Sequence, residues 1–117
     1  IRGVKKQIWG FAKGKQEPDE TDVQTAKREV FEETGLTGTL HEGFKEEVFY
    51  QTDKGNQKRL SLFLAKATTQ DVTIQEKEVD AYLWLSYEDA LDQLTYDDLK
   101  MPLEKAHERL MQMQSVR

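Results

Sequence analysis

The acidic stretch from Gly14 to Leu36 constrains this chain more than any other part of it. It opens Gly14-Lys15-Gln16-Glu17-Pro18-Asp19-Glu20 and closes Arg28-Glu29-Val30-Phe31-Glu32-Glu33-Thr34-Gly35-Leu36. Thr21 and Gln24 have the spacing of a capping box, which satisfies the first free N–H groups of a helix. Gly35 sits where a helix stops in the left-handed conformation. These signals predict a helix from Thr21 to about Thr34. Before it, Glu17-Pro18-Asp19-Glu20 predicts a turn, since Pro presets the backbone and Asp tolerates the conformations needed at the next turn position.

At about 100° per residue, Glu29 and Glu33 point almost the same way, and Glu32 lies about 60° to the other side of Glu29. Val23, Ala26 and Val30 fall on another stripe. That stripe is expected to pack on a sheet while the carboxylates face outward. Like charges three or four residues apart repel, so the cluster is either a solvated face or a site for a cation. Glu29, Glu32 and Glu33, with Glu20 nearby, can converge on a hard divalent ion bound through oxygen. Mg²⁺ suits such ligands, with Mn²⁺ as the alternative. The chain has no cysteine and only two histidines, His41 and His107, which argues against zinc.

Around this unit, strand and helix signals interleave irregularly. Val4 to Phe11 reads as extended. Leu40 to Tyr50 and Lys58 to Ala67 read as strands around the polar turn Asp53-Lys54-Gly55-Asn56. Asp80 to Leu85 reads as another strand. Ser86 and Asp89 cap a short helix through Leu94. A last helix is expected from about Pro102 to Met113, with the proline near its first turn. Trp84 and Phe63 are expected in the core, and His107 as a helix-packing residue. The fold class is α+β, with helices packed on a mixed sheet.

The chain has 117 residues, which is room for one domain. No apolar run approaches the roughly 20 residues of a membrane span. Ile1 to Lys6 lacks the apolar region of a signal peptide. Without cysteine, a reducing compartment fits, so the expected location is cytoplasmic. The net charge of −5 disfavours nonspecific nucleic-acid binding. It leaves room for a phosphorylated substrate, because a metal ion carries compensating charge. Lys13 and Lys15 flank Gly14 and bring ammonium groups beside the carboxylates. A metal-bound polyphosphate would then be gripped from both sides, although either lysine also reads as an ordinary surface residue. Arg28 lies on the carboxylate side, where it would hold one glutamate in place.

The pattern of Gly14, five residues, Glu20, seven residues, then Arg28 to Leu36 matches the signature of the Nudix hydrolases at every fixed position. A chance match is on the order of 10⁻⁹ per starting position. Further segments resemble the asymmetric diadenosine tetraphosphate hydrolases within that superfamily. They are Trp9-Gly10-Phe11-Ala12-Lys13-Gly14-Lys15, Gly43 to Tyr50, Lys58, Glu78 to Leu85, and Leu103 to Leu110. The resemblance runs from Trp9 almost to the end of the chain. It departs at Ala12 and Lys15, where the family has Pro and His, and at Asp19, where the usual turn has Gly.

The resemblance implies an α/β/α sandwich with the Glu-rich helix and a C-terminal helix on the sheet. It also implies an N-terminal strand ahead of Ile1. Glu29, Glu32 and Glu33 are implied metal ligands, and Glu78 is implied near the metal. Tyr50 and Tyr82 match positions that hold adenine, where stacking contributes about 1–3 kcal/mol per base. Lys45 and Lys58 are phosphate candidates. The implied reaction is metal-dependent attack of water on diadenosine tetraphosphate, giving ATP and AMP, with Glu33 or Glu78 as base. The alternatives are a Nudix enzyme acting on RNA 5′-triphosphate ends or nucleoside triphosphates, and a binding module that does not cleave.

Overall fold

Residues 1–4, 7–51 and 54–115 are described here from a computed structural model. The helix α1 spans Asp22–Thr34, as its capping signals predict. The Thr21 hydroxyl accepts from the Gln24 N–H, and the Gln24 side chain accepts from the Thr21 N–H. Gly35 closes the helix at φ 73°, with its N–H on the Phe31 carbonyl. The turn before the helix also forms, the Glu20 N–H donating to the Glu17 carbonyl at 3.1 Å.

The strands are shorter than the sequence suggests. β1 is Arg2–Gly3, β2 Gly38–Leu40, β3 Glu46–Gln51, β4 Gln57–Leu62, β5 Ala65–Ala67 and β6 Val79–Ala81. Val4 to Phe11, expected to be extended, forms no named strand among its described residues, with Lys5 and Lys6 outside them; Trp9 bridges to Arg2, the Gly3 N–H donates to the Ile8 carbonyl at 3.0 Å and the Gly10 N–H to the Ile1 carbonyl at 2.9 Å. Leu40 to Tyr50 divides into β2 and β3, because the chain turns at Gly43, where φ is 83°. Lys58 to Ala67 likewise divides into β4 and β5. β3 and β4 do form the expected hairpin, from Glu46 opposite Leu62 to Gln51 opposite Gln57. Asp53 of its expected turn lies outside the described residues.

Among the described residues, β1 pairs with β6, β2 with β5, and β3 with β4, all antiparallel. The α+β class is the one observed. Helix α2 spans Tyr87–Gln93, with Ser86 accepting from the Asp89 N–H. A 3₁₀ turn at Asp97–Leu99 leads into α3, Lys100–Ser115, which starts ahead of Pro102.

Val79 is the one large side chain that is almost wholly enclosed among the described residues. An apolar cavity of about 690 Å³ lies between Val30 and Leu36 after α1, Phe44, Phe63, and Leu103 and Ala106 of α3. Trp84 is at its rim and 47% exposed, so the expectation of a core tryptophan fails. The reason is that β6 ends at Ala81, leaving Tyr82 to Leu85 exposed. His107 does pack between helices, stacked on the Tyr87 ring at 3.8 Å between centroids.

Candidate active site

Glu29 and Glu33 do not face outward. They are 7% and 6% exposed, while Val23, Ala26 and Val30 are only half-buried. The helix turns its carboxylates inward because the loop before it folds over them. The Lys13 N–H donates to Glu33 Oε2 at 3.0 Å. Gly14 packs against the Glu29 carboxylate so closely that a Cβ there would overlap it. Glycine at that position is therefore a steric requirement.

A second strap comes from the other side. The Thr73 N–H donates to the Thr34 carbonyl at 2.8 Å, and the Gln75 N–H to the Glu33 carbonyl at 3.1 Å. These bonds satisfy carbonyls that a helix end leaves free. Glu78 comes three residues later, its N–H turned back onto the Gln75 carbonyl at 3.0 Å. Oxygens of Glu29, Glu33 and Glu78 consequently lie within 4.8 Å of one another. Three carboxylates at that separation repel strongly when all are ionised. Burial, then Glu29, pushes the Glu33 carboxyl up to about 7, against the Lys13 N–H bond and with a smaller contribution from Glu78. Glu29 is also raised, chiefly by burial, with Arg28 opposing. An all-oxygen set with excess negative charge fits a hard divalent cation.

Glu20 and Glu32 lie outside this trio. Arg28 holds Glu20 with two bonds, Nε to Oε2 at 2.6 Å and Nη2 to Oε1 at 3.0 Å. The same guanidinium reaches Glu29 at 2.8 Å, Glu32 at 3.2 Å and the Lys15 carbonyl at 2.9 Å. Glu20 is held down at about 2, above all by its hydrogen bond with Arg28. Arg28 thus fixes the loop, the turn and the helix together.

Glu33 and Glu78 open onto a cavity of about 920 Å³, lined also by Lys13, Tyr50, Tyr96 and Asp98. The Lys13 ammonium stands 5.5 Å from the Tyr50 ring centre. Lys58 lies directly opposite Tyr50 across the hairpin. Lys15 is exposed beside the loop. Lys45 pairs with Asp22 at 3.1 Å and is absent from the cavity wall. Tyr82 is exposed and likewise absent from that wall.

Residues 2–110 match the NUDIX domain family. The chain belongs to that family. A NUDIX hydrolase acts on phosphoanhydrides, and the chain is an enzyme of that class. Among its relatives, the pig bis(5′-nucleosyl)-tetraphosphatase (asymmetrical) is 35% identical over 90% of this chain and 74% of its own. An 8-oxo-(d)GTP phosphatase of Mycolicibacterium smegmatis is 35% identical over 92% of this chain and 33% of its own. A crystal structure of a C. elegans Ap4A hydrolase binary complex superposes with a TM-score of 0.87, at 29% identity, covering 95% of this chain and 83% of that one.

Two lining residues of this NUDIX domain escape sequence reasoning, Tyr96 and Asp98. They sit in a polar stretch between helices that carries no periodic signal. Tertiary bonds bring them in: the Thr95 N–H donates to the Trp9 carbonyl at 3.1 Å, and the Trp9 N–H to Thr95 Oγ1 at 2.8 Å. No helix among the described residues is long and apolar enough to cross a membrane.

Proposed function

We propose that this NUDIX hydrolase cleaves a phosphoanhydride of a dinucleoside polyphosphate, converting diadenosine tetraphosphate and water to ATP and AMP. The observation that carries the reading is one cavity that holds Glu33 and Glu78 together with Tyr50 and Tyr96. The same wall therefore offers ligands for the cation of a metal-bound polyphosphate and flat faces for a base. Relatives that act on bis(5′-nucleosyl) tetraphosphates point the same way. The reading fits a cytoplasmic enzyme, since the chain has no cysteine.

Glu29, Glu33 and Glu78 would hold the cation, Mg²⁺ or Mn²⁺ by their all-oxygen donor set. When bound, such an ion neutralises phosphate oxygens and makes water more acidic. The side chains supply the rest. Lys13, whose backbone is pinned to Glu33, presents its ammonium to the polyphosphate. Lys58 stands beside Tyr50 at the same face of the hairpin. Tyr50 and Tyr96 take the place expected for a Tyr50 and Tyr82 pair in stacking the base. Glu33 accepts the proton of the attacking water, because its carboxylate stands on the cavity wall where a metal-held polyphosphate would meet that water. Arg28 keeps Glu29 in register through their 2.8 Å ion pair.

The test is chromatography of products from diadenosine tetraphosphate with Mg²⁺ in ¹⁸O-water. ATP and AMP, with label in one of them, is the expected result. Two molecules of ADP, or turnover only of triphosphorylated RNA or nucleoside triphosphates, would overturn the proposed substrate. Nucleotide binding without cleavage would overturn the enzyme reading.

A further inference from the structure

Glu29 and Glu33 share one helix, so their separation is set by α1 itself. Glu78 is different. It is exposed and reaches the cluster from just ahead of β6, so its place depends on how the backbone there is held. Two backbone bonds hold it. Its N–H donates to the Gln75 carbonyl, and its carbonyl accepts from the Val4 N–H, both at 3.0 Å. The second bond comes from the end of β1, so the pairing of β1 with β6 decides where Glu78 stands.

That pairing is irregular. Arg2 lies opposite Ala81 and Gly3 opposite Val79. One step along β1 therefore matches two steps along β6, and Asp80 is the extra residue of a β-bulge. Bulges bend a strand and re-aim side chains, and they are frequent beside active sites. Closing the bulge would slip the pairing by one residue. Such a slip moves the chain about 3.3 Å along the strand and turns its side chains to the opposite face. Oxygens of Glu29, Glu33 and Glu78 lie within 4.8 Å of one another, so a slip of that size would take Glu78 out of the cluster.

The bulged residue is gripped on both oxygens. Arg2 Nε donates to Asp80 Oδ1 at 2.7 Å, and Gln7 Nε2 donates to Asp80 Oδ2 at 2.8 Å. The Arg2 guanidinium also lies over the Trp9 ring, 5.7 Å from its centre. Among the described residues Gln7 is the one non-glycine with a positive φ, 55°. That left-handed conformation is uncommon outside glycine, and it persists only where surrounding contacts hold it. The Gln7 amide also donates to the Val4 carbonyl at 3.4 Å, on the residue whose N–H holds Glu78.

We propose that Arg2, Gln7 and Asp80 form a clamp that locks the bulge and thereby positions Glu78 against Glu29 and Glu33. Asp80 is a positioning residue, acting through Glu78 and touching neither metal nor substrate. The inference rests on the reading of Glu78 as a metal ligand given above.

The test is Mn²⁺ titration of metal-free protein by calorimetry, in a double-mutant cycle of Asp80→Ala with Glu78→Gln. Asp80→Ala alone is expected to weaken Mn²⁺ binding about 10–100-fold, the range for losing a group that orients a ligand. In the Glu78→Gln background the same change is expected to cost less than about twofold, since the residue it positions is already lost. Gln7→Gly removes one arm of the clamp and accepts the left-handed backbone without strain. It is expected to give a smaller loss in the same direction, again only when Glu78 is present, and it carries the test should Asp80→Ala not fold. An equal loss in both backgrounds overturns the inference, because a clamp that merely stabilises the fold acts regardless of Glu78. So does wild-type Mn²⁺ affinity in the folded clamp variants while Glu78→Gln binds weakly. Unchanged affinity in Glu78→Gln itself defeats the ligand reading, and the inference with it.

Discussion

Two halves of one acidic segment behave in opposite ways. Glu20 lies against Arg28 and is held at about 2, whereas Glu33, on the inner side of the same helix, is pushed up to about 7. Glu20 precedes α1 by two residues and Glu33 lies in its last turn. The differences are burial, which raises Glu33, and the cation, which holds Glu20 down. Arg28 spends its fork on Glu20 and touches Glu29 and Glu32 with one nitrogen. It does not reach Glu33, whose nearest hydrogen-bond donor is the Lys13 backbone. One half of the cluster is neutralised by the protein, and the other half is short of positive charge, which a bound cation would supply.

The largest expected effect comes from the deficient half. Glu33→Gln is expected to lower kcat by about 10²–10⁴-fold, the range for losing a general base. The same variant is expected to raise the Tm of metal-free protein at pH 8, since a buried charge is gone. Near-normal turnover would remove Glu33 from the mechanism.

Gly14→Ala acts on the same half through shape alone. The added methyl group cannot share space with the Glu29 carboxylate, so either the loop or Glu29 must move. Metal affinity measured by titration should fall about 10–100-fold, as for other changes that misplace a ligand. Wild-type affinity would show that the loop relaxes freely.

On the neutralised half, Arg28→Lys leaves the charge and removes the fork. A lysine cannot hold Glu20 at two points and also reach Glu29, Glu32 and the Lys15 carbonyl. We expect about tenfold weaker metal binding, with KM less affected than kcat. A larger loss than in Gly14→Ala would mean that Arg28 itself meets the substrate.

The smallest effect is in pH dependence. The Glu33 carboxyl is raised above its ordinary 4.5 to about 7. Between those values the folded state retains a proton that the unfolded chain has released. Stability of metal-free protein should therefore fall as pH rises from about 5 to 7 and level off above it, by roughly 1–3 kcal/mol. Mg²⁺ should raise the Tm more at pH 8 than at pH 5.5. A flat metal-free profile in denaturant melts would show that Glu33 ionises normally.

Helix α1 is legible in the sequence almost to the residue, because Thr21, Gln24 and Gly35 act on backbone groups within a few positions of themselves. The strands are not. Leu40 to Tyr50 looks like one apolar run, yet Gly43 turns the chain inside it. The carboxylate spacing gives Glu29 and Glu33 a common direction, but helix geometry alone assigns that direction to solvent. The loop from Lys13 to Lys15 reverses it by closing over them. Tyr82, which the family resemblance picked out, is absent from the cavity wall, whereas Tyr96, which no local pattern marks, lines it.

What the amino-acid order decided here is what short-range forces decide: one capped helix, its row of acids, and the metal chemistry that such a row invites. Which acids are buried, which are answered by Arg28, and which tyrosine shares a wall with Glu33 were decided by the folded chain. Those outcomes depend on contacts such as Thr95 with Trp9 and Gln75 with Glu33, between residues so far apart in sequence that no local pattern encodes their meeting.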